Sequence, residues 1–409
     1  MKISLLRSLS ERTIQGQFRR IINGGVRSTP FKFSFHPPEN NVFKPLQELD
    51  FSIEPDTRPP SNVHVIIGRN GVGKTHLLHQ MTQALVGEGE STRKNGRFEW
   101  KEEDLVFGSW AKSFANVVSV SFSAFDPFDI ISAHDANLDR LSYTYIGLRH
   151  NNGNVKTDGN PKRIDEIAGD FYSSLRECRV STTKRRLWKS LVQILGRADS
   201  SIVLDEMLSF LDKEPDEAEG LARRSFPFDE DLDDDAERTK VLDGFRILSS
   251  GHKIVLLSLT RLVQVVEEKT LVLMDEPESH LHPPLLSAFI RALSVLLLDR
   301  NGVAIVATHS PVVIQEVPSE CVWVLTRFGS QFKAERPSIE TFGENVGTLT
   351  QEVFKLDLTQ SGFYTMLQEV VAEKSSFDKA CREFHGKLGS EALAVLRSLC
   401  LVKGDSDQE

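Results

Sequence analysis

Two short stretches of this chain gather the residue types that perform chemistry. The first, "GRNGVGKT" (68–75), satisfies the pattern G-x-x-x-x-G-K-[ST]. Gly68, Gly71 and Gly73 let the backbone curl through Arg69, Asn70 and Val72 with its N–H groups pointing inward at phosphate oxygens. Lys74 adds a point charge near the β- and γ-phosphates of a nucleotide, Thr75 offers a hydroxyl to Mg²⁺, and the helix that starts there lends the positive end of its dipole. The second, "LVLMDEPESHLHP" (271–283), runs four apolar residues straight into three carboxylates and two histidines. Beside a phosphate-binding loop that change has a reason: Asp275, at the tip of a buried strand, can hold the metal directly or through water. Glu276, one residue on and facing the other way, is placed to polarise a water for attack on the γ-phosphate. Two weaker signals fit the same chemistry. "VAIVATHS" ends a third apolar run with His309, whose imidazole can reach the γ-phosphate and the attacking water. "LSSGHK" (248–253) opens a helix with Ser249, Ser250 and Gly251 at its mouth, 24 residues before Asp275; taken alone it reads as a serine helix cap.

These residues need particular elements to position them. "VHVIIG" (63–68) is strongly β-branched, and Leu77, Met81 and Leu85 recur behind it at helical spacing until Gly87 and Gly89 supply a stop. "FKFSF" (31–35) and "LDFSI" (49–53) alternate as strands of a half-solvated antiparallel sheet. "NVVSVSFSAF" (116–125), "TLVLMDEP" and "GVAIVATHS" read as further strands, and Leu285, Leu286, Phe289, Ile290, Leu293, Leu296 and Leu297 share one helix face. Short strands alternating with helices predict an α/β fold with parallel members. Four segments follow: 1–126, holding the phosphate loop; 127–240, a mostly helical insertion; 241–340, holding the acidic strand and His309; and a helical 341–409.

A chain of 409 residues, 40% hydrophobic, can bury a large core. Its net charge of −9 argues at first against nucleic acid, but Leu204–Arg238 holds 14 acidic and 4 basic residues, and the remainder balances at 45 basic to 44 acidic. The global charge therefore excludes no phosphate-binding surface, and the acidic run reads as a solvated or disordered linker or, in the alternative, as a regulatory tail that mimics nucleic acid. Cys178, Cys321, Cys381 and Cys400 lie far apart without a C-x-x-C pair, which suggests neither a zinc site nor a disulfide framework and fits a reducing cytoplasm. No apolar run approaches the roughly 18 residues that a bilayer span needs, so membrane insertion is not expected.

The order phosphate loop, LSSG turn, acidic strand and strand-borne histidine resembles the ABC-type ATPases. Gly68–Thr75 looks like Walker A, Leu248–Gly251 like the signature with Ser250 where glycine is usual, Asp275 and Glu276 like Walker B with its catalytic glutamate, and His309 like the switch histidine. The resemblance implies an ABC-type head, a mixed sheet with an antiparallel N-terminal subsheet. It also implies a homodimer or higher oligomer in which two heads sandwich two ATP molecules with Mg²⁺, Ser249 and Gly251 of one capping the γ-phosphate held by the other. "DEPESHLHP" is similar to the acidic strand of the RecF, SMC-like and OLD (overcoming lysogenization defect) branch. "TFGENVGTLTQEVFKLDLTQSGF" (341–363) looks like the C-terminal segment of the ATPases of Septu and Septu-like retron anti-phage systems. Those likenesses imply work with a partner nuclease, of the HNH type in the family's pattern, or with nucleic acid such as DNA or a retron RNA–DNA; a RecF-type ATPase acting directly on DNA is the alternative.

Several features depart from the pattern. No glutamine lies between Gln83 and Gln193, so the usual Q-loop residue is missing, and Ser121, Ser123 and Asp126 are the candidates to substitute for it. The insertion shows no sustained heptads and forms no SMC-length coiled coil. Asp405 and Asp407 read as a frayed tail rather than a TOPRIM centre, which leaves any cutting of nucleic acid to another chain. His280 and His282 read as shaping the loop that crosses the dimer rather than as metal ligands. "KRR" (184–186) beside Trp188 reads as the solvated face of a helix.

Overall fold

The computed structural model describes residues 30–38, 48–54, 57–86, 95–100, 114–122, 141–150, 160–202, 204–213, 235–328, 331–354, 362–374 and 376–406. The chain divides into two compact units, 1–349 and 350–409. The first is built on a seven-stranded sheet of order β10-β9-β3-β8-β7-β5-β6. Its strands are β3 (Val63–Gly68), β5 (Asn116–Ser121), β6 (Ser142–Gly147), β7 (Thr270–Asp275), β8 (Val303–Thr308), β9 (Val322–Phe328) and β10 (Gln331–Glu335). All neighbours run parallel except the hairpin β9–β10. Every residue of β3, β7 and β8 is buried, as expected of central strands covered on both faces. Parallel register aligns the C-terminal tips of β3, β7 and β8, and at such tips open α/β sheets place their ligands.

A second, antiparallel sheet holds β1 (Phe31–His36), β2 (Leu49–Ile53) and β4 (Arg97–Trp100) in the order β2-β1-β4. Phe33, Phe35 and Phe51 from its inner face share one core with Ile66, Leu271, Leu273 and Ile305 of the large sheet and with Leu77, Leu78 and Met81 of helix α1 (Lys74–Val86). His64 of β3 is fully buried there with Phe51 edge-on to its ring at 5.2 Å. That burial, assisted by Arg336, pulls its pKa down to about 3 and holds it neutral.

Helices α2 (Ile164–Val180), α3 (Thr182–Ala198), α4 (Asp205–Asp212), α5 (Asp235–Arg246) and α6 (Ser250–Val265) precede β7. Ser181 separates α2 from α3 by capping the latter, its hydroxyl accepting from the Lys184 N–H at 3.4 Å. Trp188 of α3 is buried, its indole N–H donating to Thr260 of α6 at 2.8 Å. Residues 127–240 also contain β6, which joins the large sheet beside β5; its mixed "SYTYIG" sequence gives no clear apolar alternation. Helix α7 (Pro283–Arg300) buries Leu285, Leu286, Phe289, Ile290, Leu293, Leu296 and Leu297, and the short α8 (Pro311–Ile314) follows β8. Helix α9 (Val346–Phe354) crosses the boundary between the units. The second unit contains α10 (Gly362–Glu373), α11 (Phe377–Glu383) and α12 (Ser390–Ser406), packed on Leu367, Val371, Ala380 and Leu396.

Candidate nucleotide site

Between β3 and α1 the chain makes a tight loop. Gly71 (φ +79°) and Gly73 (φ +95°) take left-handed conformations that an L side chain adopts only with strain. Val72, buried, pins the loop to the core, while Arg69, Asn70 and Gly71 face outward. Lys74 is buried in the first turn of α1, and its ammonium folds back to donate to the Gly68 carbonyl at 3.0 Å and the Arg69 carbonyl at 3.2 Å. Thr75 stands next to it, half-buried. Arg327 donates to the Gly71 carbonyl at 3.4 Å, and its guanidinium lies over the Phe332 ring at 5.2 Å. The β9–β10 hairpin thus flanks the loop, a long-range contact with no signature in the sequence.

Asp275 ends β7, buried, in register with Ser121 on one side and Ala307 on the other. Glu276 then leaves the strand in a left-handed conformation (φ 44°, ψ 58°), its N–H bonded to the Ala307 carbonyl at 2.8 Å. For a non-glycine residue this costs roughly 1–3 kcal/mol and persists where the surroundings over-determine it. Strand alternation predicts that Glu276 faces away from Asp275. The left-handed turn overrides it and brings the Glu276 carboxylate to 3.9 Å from the Lys74 ammonium and 3.6 Å from His309 Nδ1.

Glu278 is the residue that sequence reasoning missed. It lies in the short 3-10 helix Pro277–His280, whose single turn returns its carboxylate to the strand tips. Its Oε1 accepts from the Thr308 hydroxyl at 2.6 Å and the His309 N–H at 2.7 Å, and lies 3.0 Å from His309 Nδ1. The available signal was its place three residues after Asp275 within the same acidic run.

The electrostatics are lopsided. Burial lowers the pKa of Lys74, opposed by Glu276, Asp275 and Glu278. One ammonium facing three carboxylates calls for a further cation. Two buried oxygens there, Ser121 Oγ and Glu278 Oε2, make no hydrogen bond among the described residues, and such orphans fit a hydrated metal ion. The donor set of Thr75, Asp275 and Ser121 is all oxygen, as Mg²⁺ requires. Of the candidate substitutes for a Q-loop glutamine, Ser121 stands beside Asp275, while Ser123 and Asp126 lie outside the described residues.

The signature-like turn belongs to a different cluster. Ser249 caps α6, its hydroxyl accepting from the His252 N–H at 3.2 Å; Ser250 is exposed and Gly251 buried. A Cβ built on Gly251 would stand 2.5 Å from the His280 carbonyl oxygen, so this turn sits directly on the segment after Glu276. Among the described residues no hydrogen bond or ion pair joins Ser249–Gly251 to the phosphate loop. His280 is exposed. His282 caps α7, its Nδ1 accepting from the Leu285 N–H at 3.4 Å. Lys184 of the basic run donates to the Gln264 carbonyl at 2.6 Å, near the C-terminus of α6, which fits structural use of that lysine.

Residues 147–315 match a family described as "AAA domain, putative AbiEii toxin, Type IV TA system". Protein ea59 of Escherichia phage lambda is 39% identical over 411 residues, spanning 99% of this chain and 75% of the relative. Among solved structures, the ADP conformation of an ATP-binding cassette of an ABC transporter aligns at 13% identity over 77% of this chain and 94% of its own, with a TM-score of 0.33. The Smc head domain of Pyrococcus furiosus aligns at 10% identity over 75% of this chain and 96% of its own, with a TM-score of 0.30. Loop, acidic strand and histidine meet at the strand tips, and identity to ea59 runs through almost the whole chain: it is a P-loop ATPase belonging to the family of Protein ea59 of Escherichia phage lambda.

Proposed function

We propose that two copies of this ABC-type ATPase close around ATP and that closure regulates a separate nuclease, of the HNH type, in anti-phage defence. The observation that carries the ATP-driven part is the meeting of Lys74, Glu276, Glu278 and His309 within 4 Å contacts at the tips of β3, β7 and β8. Lys74 now bonds the two loop carbonyls; with nucleotide bound it would turn to the β- and γ-phosphates, and the N–H groups of 69–75 would surround them. Thr75 and Asp275, with Ser121, would hold Mg²⁺, which when bound neutralises charge on the phosphates. Glu276 would take a proton from the attacking water, and His309, steadied by Glu278, would stabilise the charge that grows on the γ-phosphate.

The second copy is proposed because Ser249–Gly251 lie in a cluster separate from the phosphate loop, so a signature that caps a nucleotide would cap that of another molecule. The defence setting draws support from the toxin–antitoxin wording of the matched family and from a relative that a phage encodes. The test is co-expression with the reading frames beside the gene, followed by purification. The expected result is a complex with a nuclease whose DNA cleavage differs between ATP, ADP and no nucleotide. Salt-dependent DNA binding by the chain alone, with turnover stimulated by DNA and no nuclease attached, would instead assign it to direct action on DNA.

A further inference from the structure

We propose that Asp199 is a positioning residue for ATP turnover, tying the Ser249–Gly251 turn to the segment after Glu276 so that the two move as one body. The proposal rests on the reading of that turn as the cap on a second copy's nucleotide.

Asp199 follows the last residue of α3, its N–H closing the helix on the Leu195 carbonyl at 3.0 Å. One carboxylate oxygen, Oδ1, accepts from the Ser201 N–H at 2.9 Å and the Ser201 hydroxyl at 2.6 Å. The other, Oδ2, lies 2.9 Å from His252 Nε2 and 2.8 Å from His282 Nε2. His252 belongs to the first turn of α6, directly after Gly251, and His282 caps α7. A single carboxylate therefore joins three elements far apart in sequence: the end of a helical arm, the signature-like turn, and the continuation of the acidic strand. The close seat of Gly251 on the His280 carbonyl puts the same two segments in contact a second time. Hydrogen bonds from Ser201, His282 and His252 hold the Asp199 carboxyl well below the usual carboxylate range, so it stays ionised at neutral pH and its bonds are charge-assisted.

Two imidazoles and a carboxylate within 4.8 Å of one another also form a set that could hold a metal ion. The hydrogen bonding argues against that occupant. His282 Nδ1 accepts from the Leu285 N–H, so the ring proton sits on Nε2 and points at Asp199. A metal on Nε2 would require that proton on Nδ1, against a backbone donor. Both carboxylate oxygens already accept two bonds each, and the 2.8–2.9 Å spacings are those of charge-assisted hydrogen bonds.

The experiment compares Asp199→Ala, His252→Ala and His252→Gln, each in the full chain with and without Glu276→Gln. The glutamine amide can donate from about where Nε2 stood, but it is a poor metal ligand. Nucleotide affinity, measured with a fluorescent ATP analogue, reports both folding and an intact phosphate loop. The expected result is a dissociation constant within about threefold of the parent for all three. For the two alanine variants, kcat and ATP-dependent dimer affinity should each fall by about tenfold, within the roughly 5- to 150-fold span of couplings between sites. His252→Gln should recover most of that loss. Turnover and dimerisation by Asp199→Ala within about threefold of the parent would overturn the proposal. So would His252→Gln behaving like His252→Ala, or a stoichiometric metal lost from both. If Asp199→Ala does not fold, the His252 pair decides alone. Should the Glu276→Gln chain itself stay monomeric with ATP and Mg²⁺, the two-copy reading falls and this proposal with it; if it dimerises equally well with and without Asp199, only this proposal falls.

Discussion

Glu278→Ala is the sharpest test of how the site holds His309. The carboxylate oxygen Oε1 gathers the Thr308 hydroxyl, the His309 N–H and the His309 imidazole within 3.0 Å. Thr308 is fully buried and the Glu278 side chain is 8% exposed, so water replaces the lost acceptor poorly. Leaving two such donors unpaired costs about 1–3 kcal/mol each, and the fold should lose about 2–4 kcal/mol in all after relaxation. The imidazole, no longer held from behind, drifts, and a misplacement of about 1 Å at a reacting centre costs about 10²-fold in rate. The expected signature is therefore a split: kcat down by about 10²-fold, with ATP affinity unchanged or tighter because one of three carboxylates around Lys74 has gone. Glu278→Gln keeps an acceptor oxygen but loses the charge, and should fall between parent and alanine variant. Steady-state turnover and nucleotide titration measure both quantities. If Glu278 works through His309, the double variant with His309→Ala is no slower than His309→Ala alone. Turnover within about threefold of the parent, or multiplicative losses in the double variant, would refute the reasoning.

Three other outcomes follow from the same geometry. Glu276→Gln should keep nucleotide and accumulate as an ATP-bound dimer in light scattering while turnover drops by roughly 10²–10⁴-fold, the usual contribution of a positioned base; parental turnover would mean that another group activates the water. Lys74→Ala should weaken ATP binding by roughly 10- to 100-fold, equivalent to about 1.5–3 kcal/mol for a charged hydrogen-bond donor, and unchanged affinity would sink the phosphate-loop assignment. His64, neutral in the fold with its pKa pulled down to about 3 from an ordinary 6.5, contributes stability that is full above pH 6.5 and is lost as pH falls towards 3. Between pH 7.5 and 5 it should remove about 2 kcal/mol at about 1.4 kcal/mol per pH unit. Urea unfolding of parent and His64→Leu at both pH values isolates that amount, and equal pH dependence in the two would exclude it.

Legibility in the sequence tracked the physical reach of each signal. β3, β7 and β8 are buried on both faces, so each is written as a mainly apolar run, interrupted in β3 by the buried His64, and the chemistry at their tips follows within a few residues. β1 and β2 showed the alternation of strands with one buried face, and the structure pairs them antiparallel. β6 did not announce itself, because as the edge strand beside β5 it is only partly buried and tolerates "SYTYIG". Glu278 was obscured for another reason. Its role depends on Glu276 adopting a left-handed conformation and on the 3-10 turn that follows, and neither is encoded by a residue that demands it, as glycine would. Asp199 was invisible because its partners lie 53 and 83 residues away.

The density of titratable groups in 275–282 has a geometric explanation. Pro277 restrains the chain just after the left-handed Glu276, and the 3-10 turn gives the segment two working ends within eight residues. Asp275, Glu276 and Glu278 face the phosphate loop and His309. The His280 carbonyl and the His282 ring face Gly251 and Asp199. A strand that only filled the core would end in a solvated turn with no need for either set. Both ends share one short, hydrogen-bonded piece of backbone, so under the proposed function a displacement of the carboxylates on binding phosphate and metal would be passed on to the signature-like turn. Substitutions at the two ends should therefore couple: Asp199→Ala combined with Glu278→Ala should depart from the product of the single effects on kcat, whereas two independent sites would multiply.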